Sequence, residues 1–151
     1  MNVIKKFYLA HPQQSRHKMR EWEKKIEETF CVDLINPFYD CEGKENFSIK
    51  KMDGGEVKEG EYETYEGYEK AIVDTDIEKI RGSDGVIAVI DGSLSYGTIQ
   101  EIVYARLFNK DVFLIATNGK HSHPWLKYHS TKLFTSFEDF EKEAKEIFDG
   151  K

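Results

Sequence analysis

A chain of 151 residues has the usual size of one globular domain and can bury a core without disulfide or metal staples. With 39% hydrophobic and 33% charged residues it is too apolar for a disordered polymer, and a formal net charge of -6 excludes the broad basic field of a nucleic-acid coat. The opening Met1-Asn2-Val3-Ile4-Lys5-Lys6 is no secretory leader and no apolar run approaches the ~18 residues of a membrane span, so a cytoplasmic protein with small-molecule or protein partners is expected.

Val3 to Ala10 is an apolar, aromatic run stopped at His11-Pro12 and reads as a first buried strand. From Gln13 to Phe30 the residues Met19, Trp22, Ile26 and Phe30 recur at steps of three or four among Arg, Lys and Glu, the pattern of an amphipathic helix. Cys31 to Ile35 follows as a short second strand, ended by Asn36-Pro37. Asp40 to Glu66 is rich in Glu, Lys and Gly and reads as a long loop or hairpin, at about 40–66, inserted into a single domain spanning 1–151. Tyr68 to Ile80 is helically patterned, with Gly82 as its stop, and Val86 to Ile90 is a continuously apolar strand of the kind covered on both faces.

After a polar turn from Asp91 to Gly97, a helix carries Ile99, Ile102, Val103 and Leu107 and ends near Asn109-Lys110. Asp111 to Ala116 is a fourth strand, Leu133 to Thr135 a fifth, and Phe137, Phe140, Ala144 and Ile147 mark a last helix. Such alternation predicts an α/β, flavodoxin-like three-layer sandwich with a five-stranded parallel sheet in the order 2-1-3-4-5. Cys31 and Cys41 have no paired spacing and read as structural thiols, while His121 and His123 lack a carboxylate or thiol beside them and read as surface loop, so no metal site is assigned.

In an open parallel sheet, ligands bind beyond the carboxyl ends of the strands, near the switch point between the first and third. Two polar segments meet there: Tyr8, His11, Gln13 and Gln14 on one side, and Asp91, Ser93, Ser95, Thr98 and Glu101 on the other. Gly97 lets backbone approach a ligand, and the amides of the following helix turn, with the Ser95 hydroxyl, suit an anion such as phosphate. Glu101 is placed in that same first turn, where the helix dipole favours its ionised form. Thr98-Ile99-Gln100-Glu101 also fits a capping box, and the local pattern alone favours Glu101 as a cap over a catalytic carboxylate. Asp74 and Asp76 read as a solvated face, and Arg16 and His17 as either a solvated helix start or phosphate contacts.

Taken together, Phe7-Tyr8-Leu9-Ala10, Asp74-Thr75-Asp76-Ile77 with Ser83-Asp84, and Gly97-Thr98-Ile99-Gln100-Glu101-Ile102 with Tyr104-Ala105 resemble the nucleoside 2-deoxyribosyltransferase-like family, which includes nucleoside 5′-monophosphate N-glycosidases. The resemblance implies that Glu101 attacks or stabilises the anomeric carbon, that Tyr8 orients it, and that Asp76 protonates the leaving base. It implies no metal or organic cofactor, a nucleoside or nucleotide ligand, and a homodimer or higher homo-oligomer that shares its active sites.

Deoxyribosyltransferases usually carry an acidic residue where this chain has Ser95, and the monophosphate glycosidases place serine there to hold the 5′-phosphate. Those enzymes also receive a serine from a neighbouring subunit, for which Ser130 is the nearest match by position. The expected substrate-binding set is therefore His11, Ser95, Gly97, Thr98 and Ser130. The leading expectation is hydrolysis of the base–sugar bond of a nucleoside 5′-monophosphate. Base exchange through a covalent Glu101 intermediate and a non-catalytic nucleotide-binding module are the alternatives.

Overall fold

In a computed structural model of the protein, residues 3–39, 68–92, 95–117, 119 and 122–150 are described. Strand β1 (Lys6–Ala10) passes through a 3-10 turn (Gln13–Ser15) into helix α1 (Arg16–Phe30) and strand β2 (Asp33–Ile35). Helix α2 (Tyr68–Arg81), strand β3 (Gly85–Ile90), helix α3 (Tyr96–Leu107) and strand β4 (Val112–Ala116) follow. The chain ends with helix α4 (Pro124–His129), strand β5 (Lys132–Phe134) and helix α5 (Phe137–Asp149). All strand pairs are parallel and the order is β2-β1-β3-β4-β5, as the alternation predicts. The insertion expected at about 40–66 lies outside the described residues.

Strand alternation divides the core into two layers. Phe7 and Leu9 of β1 and Ile87 and Val89 of β3 pack with Met19, Trp22 and Ile26 of α1 and Phe140, Ala144 and Phe148 of α5. Tyr8, Ala10, Val86, Ala88 and Ile90 face the other way, onto Ile80 of α2, Ile102 and Ala105 of α3 and Leu126 of α4. Because both faces are covered, every residue of β3 is buried, which explains its unbroken apolar sequence. Capping fixes the last helix: the Ser136 hydroxyl accepts from the Asp139 N–H, and Gly150 closes the end at φ 74°.

Several element ends differ from the sequence-based expectation. β1 starts at Lys6, not Val3, because β2 and β3 offer partners only from Asp33 and Gly85, and Val3 and Ile4 are exposed. Cys31 is no part of β2; it is an exposed thiol in the left-handed conformation (φ 53°) that ends α1. Helix α4 is unanticipated: at 6 residues it is too short for a periodic pattern, although His123 as cap and Pro124 at its first position are regular start signals. No helix among the described residues is long and apolar enough to cross a membrane.

The close packing of β1 on β3 gives a stability test. A Cβ built on Gly85 would stand 2.8 Å from Cε1 of Phe7, whose ring is held edge-on by Phe148 at 5.2 Å between centroids. Gly85→Ala should therefore cost about 1–3 kcal/mol, read as a lower midpoint of urea unfolding with an unchanged denaturant slope.

Candidate active site

Tyr8 is fully buried beneath α3, on the layer that α2, α3 and α4 cover. A phenol so placed needs a partner for its hydroxyl. Its O–H donates to Oε2 of Glu101 in α3, a tie between residues 93 apart in sequence. The negative charge of Asp76 in α2 also acts on Glu101. Asp76 is half-buried, whereas Asp74 and Glu78 are exposed.

Glu101 does not have the electrostatics expected of it. Burial pushes its carboxyl up to about 8 from an ordinary 4.5, the Tyr8 hydrogen bond works against that rise, and the charge of Asp76 adds to it. The expected ionisation by the helix dipole fails because α3 begins at Tyr96, one turn earlier than the sequence reading placed it. Glu101 thereby falls in the second turn, where the dipole has faded. The capping box on Thr98 fails for the same reason. Ser95 is the cap, accepting the Thr98 N–H at 3.2 Å and the Thr98 hydroxyl at 3.1 Å. Capping is thus assigned to Ser95, and the Glu101 carboxyl is engaged by Tyr8 instead.

Gly97 stands close to both the Ser95 cap and the Glu101 carboxyl. A Cβ added at Gly97 would lie 3.7 Å from the Ser95 hydroxyl oxygen and 3.9 Å from Oε1 of Glu101. The absence of a side chain at Gly97 therefore leaves open the space that joins cap and carboxylate. Ser95 accepts both of its bonds with Thr98, so its own proton is committed to neither. Thr98 is fully buried and acts on this edge through Ser95.

The remaining expected residues are not gathered with this group. His11 is buried on the α1 side of the sheet: Nδ1 lies 3.0 Å from the Pro12 carbonyl, Nε2 lies 3.1 Å from Oδ1 of Asn36, and both ring nitrogens are engaged. Burial lowers its pKa. Ser130 donates to the Leu126 carbonyl at the end of α4, and the next residue, Thr131, bonds the carbonyl of Val112 at the start of β4. Ser130 therefore stands at the amino ends of the strands, across the sheet from Glu101. Arg16 opens α1 beside an exposed His17, and its guanidinium approaches the Gln13 carbonyl at 3.5 Å.

Two polar clusters at the carboxyl edge were missed in the sequence. Buried Asn36 donates to Oε2 of buried Glu23, and Arg20 donates to the other carboxylate oxygen at 3.0 Å. Glu23 was legible, since a charge four residues after Met19 falls on the buried stripe of α1. The second cluster joins Lys18, Asp91 and Thr117, which are scattered in sequence and met only through the fold. Groups of three or more His, Cys, Asp or Glu placed to hold a metal ion do not occur among the described residues.

Residues 7–146 match the nucleoside 2-deoxyribosyltransferase family. Among solved structures, the chain is similar to the 2-deoxyribosyltransferase of the psychrotolerant bacterium Bacillus psychrosaccharolyticus, at 18% identity and a TM-score of 0.62, with 90% of each chain covered. It is similar to a conserved protein of Enterococcus faecalis V583 at 17% identity and a TM-score of 0.63, over 96% of this chain and 99% of the other. CMP N-glycosidase BcmB of Clostridium botulinum is a third such structure, at 18% identity and a TM-score of 0.51, over 97% of this chain and all of the other. At these identities the three share the fold with it. A comparison with curated protein sequences finds no match. Because the family match runs over nearly the whole length, the chain belongs to the nucleoside 2-deoxyribosyltransferase family, enzymes of glycosyl transfer.

Proposed function

We propose that the protein hydrolyses the base–sugar bond of a nucleoside 5′-monophosphate, with Glu101 facing the anomeric carbon, Tyr8 orienting it and Asp76 protonating the departing base. The observation that carries this reading is the Tyr8–Glu101 hydrogen bond under the charge of Asp76. Breaking the bond sends its electrons to the base nitrogen and leaves oxocarbenium character on the sugar. One group must then be anionic and another must hold a proton.

A single proton shared by Glu101 and Asp76 meets both needs. In the free enzyme near neutral pH it sits on Glu101, held there by burial. Its transfer to Asp76 leaves a Glu101 carboxylate facing the sugar and a neutral acid beside the base. Water then adds to the anomeric carbon, and its proton restores the pair. Such a pair titrates as a unit.

The helix start supports a phosphate. The amides of Tyr96 and Gly97 precede the first intrahelical bonds of α3, and the Ser95 hydroxyl retains a proton to donate. The second reading, exchange of bases through a covalent Glu101 ester, is favoured by the family match itself. We place the enzyme in the cytoplasm as a homodimer or larger assembly. One observation supports assembly: the large apolar side chains of Tyr96, Trp125 and Tyr128 are 95%, 64% and 82% exposed on the α3–α4 side.

Incubation with a nucleoside 5′-monophosphate, the matching nucleoside, and a nucleoside plus a second base separates the readings by chromatography of released base. Release that depends on the phosphate is the expected result, and efficient base exchange without it would overturn hydrolysis in favour of transfer. Glu101→Gln should lower kcat on the order of 10³-fold or more.

The same variant should be the more stable protein at alkaline pH. Between an unfolded value near 4.5 and a folded value of about 8, the native state holds a proton that the unfolded state has lost, so stability falls as pH rises through that window. Urea unfolding at pH 5 and pH 9 should show this fall in the parent and its loss in Glu101→Gln. For catalysis, kcat/KM should decline above about pH 8, where the carboxyl pair loses its shared proton. A rate that instead climbs through that pH would place the proton donor elsewhere than Asp76.

A further inference from the structure

We infer that Lys18, Asp91 and Thr117 form a clamp that fixes the end of β3 from which the chain leads to α3, which makes Asp91 a positioning residue for the Ser95–Gly97 helix start. Asp91 directly follows β3. One of its carboxylate oxygens accepts the Thr117 hydroxyl at 2.7 Å, and the other accepts the Lys18 ammonium at 2.5 Å. Thr117 also donates its N–H to the Ile90 carbonyl at 3.0 Å, so the ends of β3 and β4 are tied through both backbone and side chain. Lys18 arrives from α1 in the opposite layer, its ammonium 4.8 Å from the centre of the Phe137 ring of α5. One carboxylate therefore joins the two strand ends to both helices of the opposite layer.

Position gives this cluster its consequence. Gly92, next in the chain, turns at φ 87°, and Ser95 caps α3 shortly afterwards. Fixing Asp91 fixes the point at which the chain leaves β3, four residues before the Ser95 cap of α3. Lys18 and then Thr117 hold the Asp91 carboxyl below its ordinary range, so it stays anionic wherever Glu101 titrates. Lys18 also cancels a negative charge that would repel a phosphate at the helix start. As a stability element an exposed lysine–aspartate pair is worth little. Its effect is on geometry and local charge, and appears in binding.

The kinetic part of this inference rests on the phosphate reading above, and the test keeps the two apart. Asp91→Asn and Thr117→Val each remove one side of the clamp, while Lys18→Met leaves the Asp91 charge uncompensated. Each should raise KM for a nucleoside 5′-monophosphate about tenfold, as expected for loss of one well-placed hydrogen bond or charge. KM for the nucleoside and kcat should stay within about twofold of the parent. Hydrogen exchange at the Thr98 and Ile99 amides, which bond to Ser95, should quicken in Asp91→Asn and Thr117→Val.

Unchanged exchange at those amides in both variants overturns the clamp whatever the substrate proves to be. Faster exchange with KM rising equally for nucleoside and nucleotide overturns its role at the phosphate edge. A parent enzyme indifferent to the phosphate overturns the phosphate reading instead, and the exchange result then decides the clamp alone.

Discussion

The parallel pairing of β1 with β3 is the constraint on which the rest of this site depends. Tyr8 lies beside Val86 and Ala10 beside Ala88, so the end of the first strand emerges next to the turn that leads into α3. The period of two along β1 then sends Tyr8 under α3 and Leu9 to the opposite layer. Shifted by one residue, the strand would put a leucine beneath Glu101 and a phenol into the α1–α5 core. The register that buries the aliphatic side chains is the same one that gives Glu101 its partner. Core packing and site assembly are selected together.

Burial decides the charge of Glu101, against the simpler expectation from the helix dipole. The dipole acts over the first turn and contributes fractions of a kcal/mol to about 1 kcal/mol at exposed sites. Withdrawal of a carboxylate from water is the larger effect, and here it outweighs even the hydrogen bond from Tyr8. Asp76 turns the effect further toward protonation. Two carboxyls within each other's field cannot both ionise cheaply. The fold accepts a local loss of stability at alkaline pH as the cost of that arrangement.

The layered fold was legible because its signals are long and redundant. Met19, Trp22 and Ile26 mark α1 by spacing, and the unbroken run of β3 marks a strand covered on both faces. Tyr8, Asp76 and Glu101 were named by resemblance and by the rule that ligands gather at the carboxyl edge; the bond between Tyr8 and Glu101 was not readable from spacing. What failed was local. Ser95 and Thr98 are both good caps, and sequence alone cannot rank two caps three residues apart when the apolar stripe between them is short. Choosing Thr98 moved Glu101 into the wrong turn and gave it the wrong charge. His11 was grouped with Tyr8 by proximity in sequence, whereas strand alternation places it with Asn36 and Glu23 on the α1 side. The tie between Lys18, Asp91 and Thr117 had no local signal, since it exists only once three elements meet.

A cap and an anion site compete for the same helix start unless the capping group is used in one direction only. At Ser95 the hydroxyl oxygen is the acceptor for both the backbone and the side chain of Thr98, and Thr98 is fully buried so that its own hydroxyl has no alternative partner in water. The Ser95 proton is then committed to neither bond. An aspartate at this position would cap equally well but would bring a negative charge and no donor, repelling phosphate and favouring a neutral or hydroxyl-bearing ligand. Serine keeps the cap and reverses the polarity of what the turn presents. One oxygen atom thus carries the local stability of α3 without adding a negative charge at its start.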